Sequence, residues 1–249
     1  VSDRFGAKEN LCSLAAKMSR CDLTTDMVTE FPHLQGIMGA AYAALEPKLA
    51  PISDIIKYFY HPRFANDKLP PNPESQCIAF SDKLDTLVGI FGAGLKPTGD
   101  KDPFGLRRSA IGLIRILVEN AVEINLQKAI KYSFEEYSHV QLASDTEWVV
   151  YQFIKDRMRS YFTDRGASMS ACKAAISSES RSPSDIALRI KALESFQNLA
   201  EAKDLVAANK RIANILKKNS AAIPSTEFRE ELLQESSEIS LDLHYKDVS

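Results

Sequence analysis

The chain has 249 residues, 45% of them hydrophobic and 26% charged, a balance that excludes wholesale disorder and leaves room for two cores of about 100–150 residues each. Its 31 Lys+Arg against 33 Asp+Glu give a formal net charge of −2, which excludes a global basic excess, so any grip on a polyanion must come from a local basic face. Cys12, Cys21, Cys77 and Cys172 contain no Cys-x-x-Cys pair, which argues against a zinc site or a disulfide framework and fits reduced thiols in a cytosol-like compartment.

No apolar run reaches the ~18–20 residues that a membrane span requires, and no leader opens the chain. Polar text at Val1 and the stop after Asp247-Val248-Ser249 make both ends read as cuts from a longer polypeptide. Along the chain, apolar residues recur at three- and four-residue steps with little strand-like alternation, so the expected fold is all-α. Two breaker-rich connections, residues 61–73 and 92–103, interrupt the first half, because Pro and Gly at that density stop helices.

From Phe104 to Asn120, Leu106, Ala110, Leu113 and Leu117 stack on one face with Ile111, Ile114 and Val118 beside them, which predicts a core-facing helix. Arg108, Gly112, Arg115 and Glu119 share another face of it. Glu147 to Phe162 repeats the pattern with Trp148, Tyr151, Phe153, Ile154, Met158 and Phe162 on the apolar side. Residues 177–184 then lack apolar side chains apart from proline, with Ser182 as expected N-cap, Pro183 at the first helical position and Asp185 in the first turn. The expected organisation is therefore a helical domain over 1–176, a linker over 177–184 and a second helical domain over 185–249. In the latter, Leu199, Ala202, Val206, Ala213 and Leu216 form an apolar face, while Lys203, Lys210, Asn214 and Lys217 form a basic stripe. Past Ala221 the apolar pattern thins and Glu227, Glu230, Glu231, Glu235 and Glu238 accumulate, as in a truncated acidic tail.

Local motifs for catalysis are sparse. Gly89, Gly92 and Gly94 lack the order of a dinucleotide fingerprint, and no Gly-Lys-Ser/Thr follows, so turn chemistry after a helix explains them. The four histidines, His33, His61, His139 and His244, are isolated from partners in sequence, which predicts no nucleophilic triad.

The most informative stretch runs from Lys17 to Gly39 and contains Cys21-Asp22-Leu23, Met27-Val28, Glu30-Phe31, Gln35-Gly36 and Met38-Gly39. It closely resembles the signature of the glycyl-tRNA synthetase β subunit family. Further matches follow in order at Pro62-Arg63-Phe64-Ala65, at Ala79 to Phe91, at Pro97 to Arg108, and at Ala207 to Leu216. The last looks like that family's anticodon-binding-like helix. The resemblance covers almost the whole chain and is thinnest between Asn120 and Arg181 and after Lys218.

This resemblance implies an HD-like helical domain followed by a truncated, helical-bundle anticodon-binding-like domain. HD domains usually hold metal through His, His-Asp and Asp ligands. By motif, Asp22 and Asp82 stand at two such positions, but Cys21 replaces the paired histidine, and Pro62 puts His61 at a helix end. Two aspartates leave most coordination positions to water, so no metal is expected, and Asp22 and Asp82 are expected to cap helices or pair with Arg20 and Lys83.

The resemblance further implies a role in attaching glycine to tRNA without a catalytic site in this stretch. ATP and glycine would be activated on a separate α subunit, the full-length assembly would be α2β2 in the cytoplasm, and this stretch would hold no cofactor of its own. The residues expected to touch RNA are Arg107, Arg108 and Arg115, whose guanidinium groups suit phosphates, together with Lys203, Lys210, Arg211, Asn214 and Lys217. Asn209 and Asn214 add amides suited to base edges. Two other readings stay open here: an HD-type metal-dependent phosphohydrolase, and a structural module that joins α to the rest of β.

Overall fold

A computed structural model describes residues 1–178, 180–218 and 233–248. Among them the regular structure is helical, with an isolated antiparallel bridge between Thr98 and Lys101 and no strand. The chain divides into two compact units, residues 1–196 and 197–249, each taken by itself below. Glu179 of the expected linker, Glu227, Glu230 and Glu231 of the expected acidic tail, and Ser249 lie outside the described residues.

The first unit contains α1 (Ser2–Phe5), α2 (Glu9–Met18), α3 (Asp26–Glu30), α4 (Ile37–Leu45), α5 (Ser53–Tyr58), α6 (Pro73–Gly92), α7 (Leu106–Glu119), α8 (Leu126–Glu136), α9 (Thr146–Thr163), α10 (Met169–Ser177) and α11 (Pro183–Gln197). At its centre lies α6, against which α1, α2, α5, α7, α8 and α9 pack. Its start is fixed by Asn72, whose side chain accepts from the Ser75 amide at 2.8 Å, and by Pro73 at the first helical position. Phe80, Leu84, Leu87, Val88 and Phe91 bury on it, and Leu106, Leu113, Ile114, Ile116 and Leu117 bury on α7. Each such side chain contributes roughly 1.5–3 kcal/mol when withdrawn from water, so the α6–α7 contact anchors the unit.

The helix expected from Phe104 begins at Leu106 because Gly105 takes a left-handed φ of 64°. Asp102 reaches across Pro103, Phe104 and Gly105 to accept from the amides of Leu106 at 2.8 Å and Arg107 at 2.9 Å. A carboxylate there satisfies two open N–H groups and favours the positive end of the helix. In α9 the core face is Val150, Ile154, Met158, Tyr161 and Phe162, whereas Trp148 is 67% exposed and stands apart from it. Ser182 departs from the expected cap: its hydroxyl is buried with no hydrogen-bond partner among the described residues. Ser184 instead donates to the carbonyls of Leu117 and Val122, and α11 buries Ile186 and Ile190 in the first unit's core. That burial carries the compact unit past residues 177–184 to Phe196.

The second unit contains α12 (Ala200–Lys218) and α13 (Ser236–Val248). Ala202 is buried, while Leu205, Val206, Ile212, Ile215 and Leu216 are roughly half exposed. No helix among the described residues is long and apolar enough to cross a membrane.

Candidate functional site

The signature stretch is tied through Asp22 to its own Gly36 and to Tyr60, just past α5. Asp22 sits in a short 3-10 turn, Cys21–Thr24, and is 4% exposed. Its Oδ2 accepts from the Gly36 amide at 2.6 Å, and its Oδ1 accepts from the Tyr60 hydroxyl at 3.0 Å. Gly36 holds φ at 81°, and a Cβ there would come within 2.8 Å of the Tyr60 ring, so a side chain is excluded on both backbone and steric grounds. Burial, with the Asp22 charge beside it, pushes the Tyr60 phenol well above its ordinary range, so it stays the donor in this pair.

Asp82, on α6, receives two guanidinium N–H groups on one oxygen: Arg20 Nη2 at 2.6 Å and Nε at 2.9 Å. Next to it, Lys83 is only 6% exposed, and its Nζ donates to the Tyr60 carbonyl at 3.4 Å. No carboxylate among the described residues lies within ion-pair distance of that nitrogen. Burial, partly offset by the Asp82 charge, brings its pKa down to about 8, so it is still charged at neutral pH. Gly112 on α7 makes room for it, because a Cβ at that position would sit 2.8 Å from Lys83 Cε.

His61 lies 2.9 Å through Nδ1 from Asp67 Oδ2, an approach without hydrogen-bond alignment, and burial holds its pKa below the ordinary imidazole value despite Asp67. Asp67 also accepts from the amides of Arg63 at 2.6 Å and Lys68 at 2.8 Å. Cys21 is exposed, with Sγ against the Lys17 carbonyl. These residues do not fit an HD-type metal ion: Asp22 is bound on both oxygens, Asp82 is held by a guanidinium, and the buried ammonium of Lys83 adds positive charge where a divalent ion would need negative ligands. Among the described residues no three His, Cys, Asp or Glu side chains cluster at ligating distance.

Above Lys83 opens a cleft of about 710 Å³ lined by Arg20, Arg63, Lys83 and Arg108, by Asp82 and Asp85, and by the apolar groups of Phe104, Val140 and Leu142. A larger cavity of about 860 Å³ borders α6, α8 and the residues before α11. Arg4, Lys128 and Arg181 are outnumbered there by Asp82, Asp85, Glu123, Glu136 and Asp185, whereas the smaller cleft sets four cations against two carboxylates and is the one suited to an anion.

The cations expected to share one face of α7 separate. Arg107 is half buried and donates through Nη2 to the Gly99 carbonyl. Arg108 is exposed at the rim of the cleft and makes no ion pair among the described residues. Arg115 is 7% exposed: Nη1 donates to the carbonyls of Ala65 and Asp67, both at 2.8 Å, while Nε and Nη2 meet Glu119 at 2.8 and 3.2 Å. The hydrogen bonds to Glu119 raise its pKa further. Seven residues turn a helix face by only about 20°, so Arg108 and Arg115 do point alike. The difference is the 62–70 loop, which covers α7 at Arg115 and leaves it open at Arg108. Lys203, Lys210, Arg211, Asn214 and Lys217 are all exposed on α12.

Of the cleft cations, the sequence motifs mark Arg20 and Lys83 only as pairing partners of Asp22 and Asp82, and Arg63 only as part of a matched motif; Arg20 does pair with Asp82, while Lys83 meets the Tyr60 carbonyl. The signal for Lys83 lay in its spacing, three residues after Phe80 and four before Leu87, which places a charge on the apolar face of a helix.

A family model described as glycyl-tRNA synthetase beta subunit matches residues 2–177. The chain is 40% identical to the glycine–tRNA ligase beta subunit of Coxiella burnetii (strain Dugway 5J108-111) over 229 residues, covering 90% of the chain and 33% of that protein. It is 39% identical to the corresponding subunit of Janthinobacterium sp. (strain Marseille) over 242 residues, 97% of the chain and 34% of the relative. With the subunit of Acinetobacter baumannii (strain ACICU) it shares 40% identity over 222 residues, 89% of the chain and 32% of the relative. The chain spans about a third of the length of the curated relatives it matches.

Proposed function

This chain belongs to the glycyl-tRNA synthetase beta-subunit family, and on that premise we propose that it is a tRNA-holding portion of a glycine–tRNA ligase, with the chemistry carried out elsewhere in the enzyme. In this reading, glycine and ATP are activated on a separate α subunit in a cytoplasmic α2β2 assembly, and the present stretch supplies grip at a distance from the reacting atoms. Residues 1–176, onto which α11 packs, act as an HD-like domain without metal chemistry, and the remainder of residues 185–249 acts as part of an anticodon-binding-like domain. Holding a long substrate in one orientation turns a loose encounter into a productive one.

The observation that carries the proposal is the exposed row on α12. Lys203, Lys210, Arg211 and Lys217, with Asn214 between them, stand in solvent on a 19-residue helix of a chain whose net charge is −2. A local concentration of positive charge on an otherwise balanced protein suits a phosphate backbone. In the first unit, taken by itself, Arg107 and Arg108 supply a contact of their own, while Arg115 serves as an internal tie. The commitments of Asp22 and Asp82 to Gly36, Tyr60 and Arg20 favour binding over phosphoester hydrolysis.

Titration of the chain with glycine-accepting tRNA at several salt concentrations tests this. Affinity should fall by about 0.7–0.9 log units per log unit of salt for each phosphate neutralised, and Lys210→Glu with Arg211→Glu should weaken binding and flatten that slope. Salt-independent binding, or an unchanged slope in the double variant, removes the α12 contact.

A further inference from the structure

We propose that the cleft over Lys83 is a binding site for a nucleotide's phosphate, with the nucleoside lying against Phe104, Val140 and Leu142. The proposal goes beyond the RNA-holding role of α12 and does not rest on it.

Three observations carry it. The first is a buried cation with too few acceptors: Lys83 is 6% exposed, and the hydrogen bond described for its three N–H donors is one of 3.4 Å to a carbonyl. A buried ammonium is stable only with charge or hydrogen-bond partners, and an oxyanion in the cleft supplies both. The second is its neighbour Arg63. One nitrogen donates to the Gln35 carbonyl at 2.8 Å, but Nε is buried with no hydrogen-bond partner among the described residues.

The third is the balance of charge. Arg20 and Asp82 offset one another at 2.6 Å, which leaves Lys83, Arg63 and Arg108 against Asp85 around the same opening. Lys83 is faced by Asp82 on its own helix, by Arg20 from the turn after α2, by Asp67 and His61 from the 61–70 loop, and by Gly112 from α7. An excess of cations deep in a concave site, with an arginine free at the rim, is the arrangement that selects a phosphate.

Volume and wall chemistry define the rest of the ligand. At about 710 Å³ the cleft lies within the usual small-molecule range, and a bare phosphate fills only a small part of it. Phe104 is 47% exposed at its edge, an aromatic face open to stacking by a base. The shared chemistry, a phosphate joined to a flat ring, belongs equally to a free mononucleotide and to the terminal nucleotide of an RNA.

The test is calorimetric titration of the full 249-residue chain with adenosine 5′-monophosphate, adenosine, inorganic phosphate, and one RNA oligonucleotide prepared with and without a 5′-phosphate. Adenosine monophosphate should bind more tightly than either adenosine or phosphate alone. Lys83→Met should weaken it by about tenfold or more, as expected for losing a charged contact, with the circular dichroism melt showing a folded protein. Arg108→Ala, at an exposed position, should weaken it by a smaller factor and serves as the check if Lys83→Met does not fold. Phe104→Ala should weaken the mononucleotide but not phosphate. Binding of the mononucleotide identifies a free ligand, and binding confined to the 5′-phosphorylated RNA identifies a chain end; either supports the site. No binding of any phosphorylated probe, or wild-type affinity in both Lys83→Met and Arg108→Ala, overturns it. Lys210→Glu should leave mononucleotide affinity unchanged, so failure of this site and failure of the α12 contact are told apart.

Discussion

Arg20 and Asp82 lie 62 positions apart and meet at 2.6 Å, with Arg20 Nε at 2.9 Å from the same carboxylate oxygen. This pair clips the turn after α2 to the central helix and occupies one of the two aspartates that resemblance placed at metal-ligand positions.

Because the Arg20 side chain is 49% exposed and that of Asp82 22%, the pair should contribute little to global stability. A double-mutant cycle with Arg20→Ala and Asp82→Ala is expected to give a coupling of about 0.2–1 kcal/mol, read from urea melts. A coupling several times larger would mean that the pair is shielded from water in solution.

Asp22 should behave differently. It is buried and holds one backbone amide and one phenol, so Asp22→Ala leaves both donors without a partner. The expected loss is about 2–3 kcal/mol in urea unfolding, with Tyr60→Phe less harmful because it removes only one of the two bonds. A loss for Asp22→Ala no larger than that for Arg20→Ala would contradict the burial of this tie.

Lys83 gives a pH prediction whose sign is fixed by its environment. Burial lowers its pKa from 10.5 to about 8 in the folded chain, so between those values the unfolded chain binds more protons and stability rises with pH. Below pH 8 the folded state carries a penalty on the order of 3 kcal/mol. Lys83→Met should therefore be the more stable protein at pH 7, with its advantage shrinking from pH 8 to about 10.5. Thermal melts of both proteins across that range check it, since other titrating groups cancel in the difference.

Arg115→Ala removes the bonds that hold the 65–67 backbone and one of the partners of Glu119, which keeps Tyr161 and Arg165. Two carbonyls left without their donor should destabilise by about 2 kcal/mol and speed proteolysis within residues 62–70. The salt slope of RNA binding should not change, whereas a reduced slope would place Arg115 at the phosphate contact after all.

The all-helical class was legible because apolar spacing is a local property. Leu106 to Leu117 announces a buried face whatever surrounds it. The start of α7 was legible only to within two residues, since Asp102 caps it from across a proline and a left-handed glycine. Trp148 shows the limit of composition: a large apolar group at a helical position still ends in solvent when no neighbour packs against it. For the site, periodicity put Arg108 and Arg115 on one face, but it carries no information about a loop 50 residues upstream that covers only one of them. The cleft was hidden for the same reason. Its cations come from Arg20, Arg63, Lys83 and Arg108, which only tertiary packing brings together.

Gly112 gives the crossing of α6 and α7 a consequence of its own. One methyl added there would stand 2.8 Å from the lysine's last methylene and 3.3 Å from the Pro62 ring, so the two central helices would have to separate or the amine would have to swing outward. In either event the floor of the opening is rebuilt. A hydrogen atom in place of a side chain thus sets how deep a positive charge can be lodged in this protein.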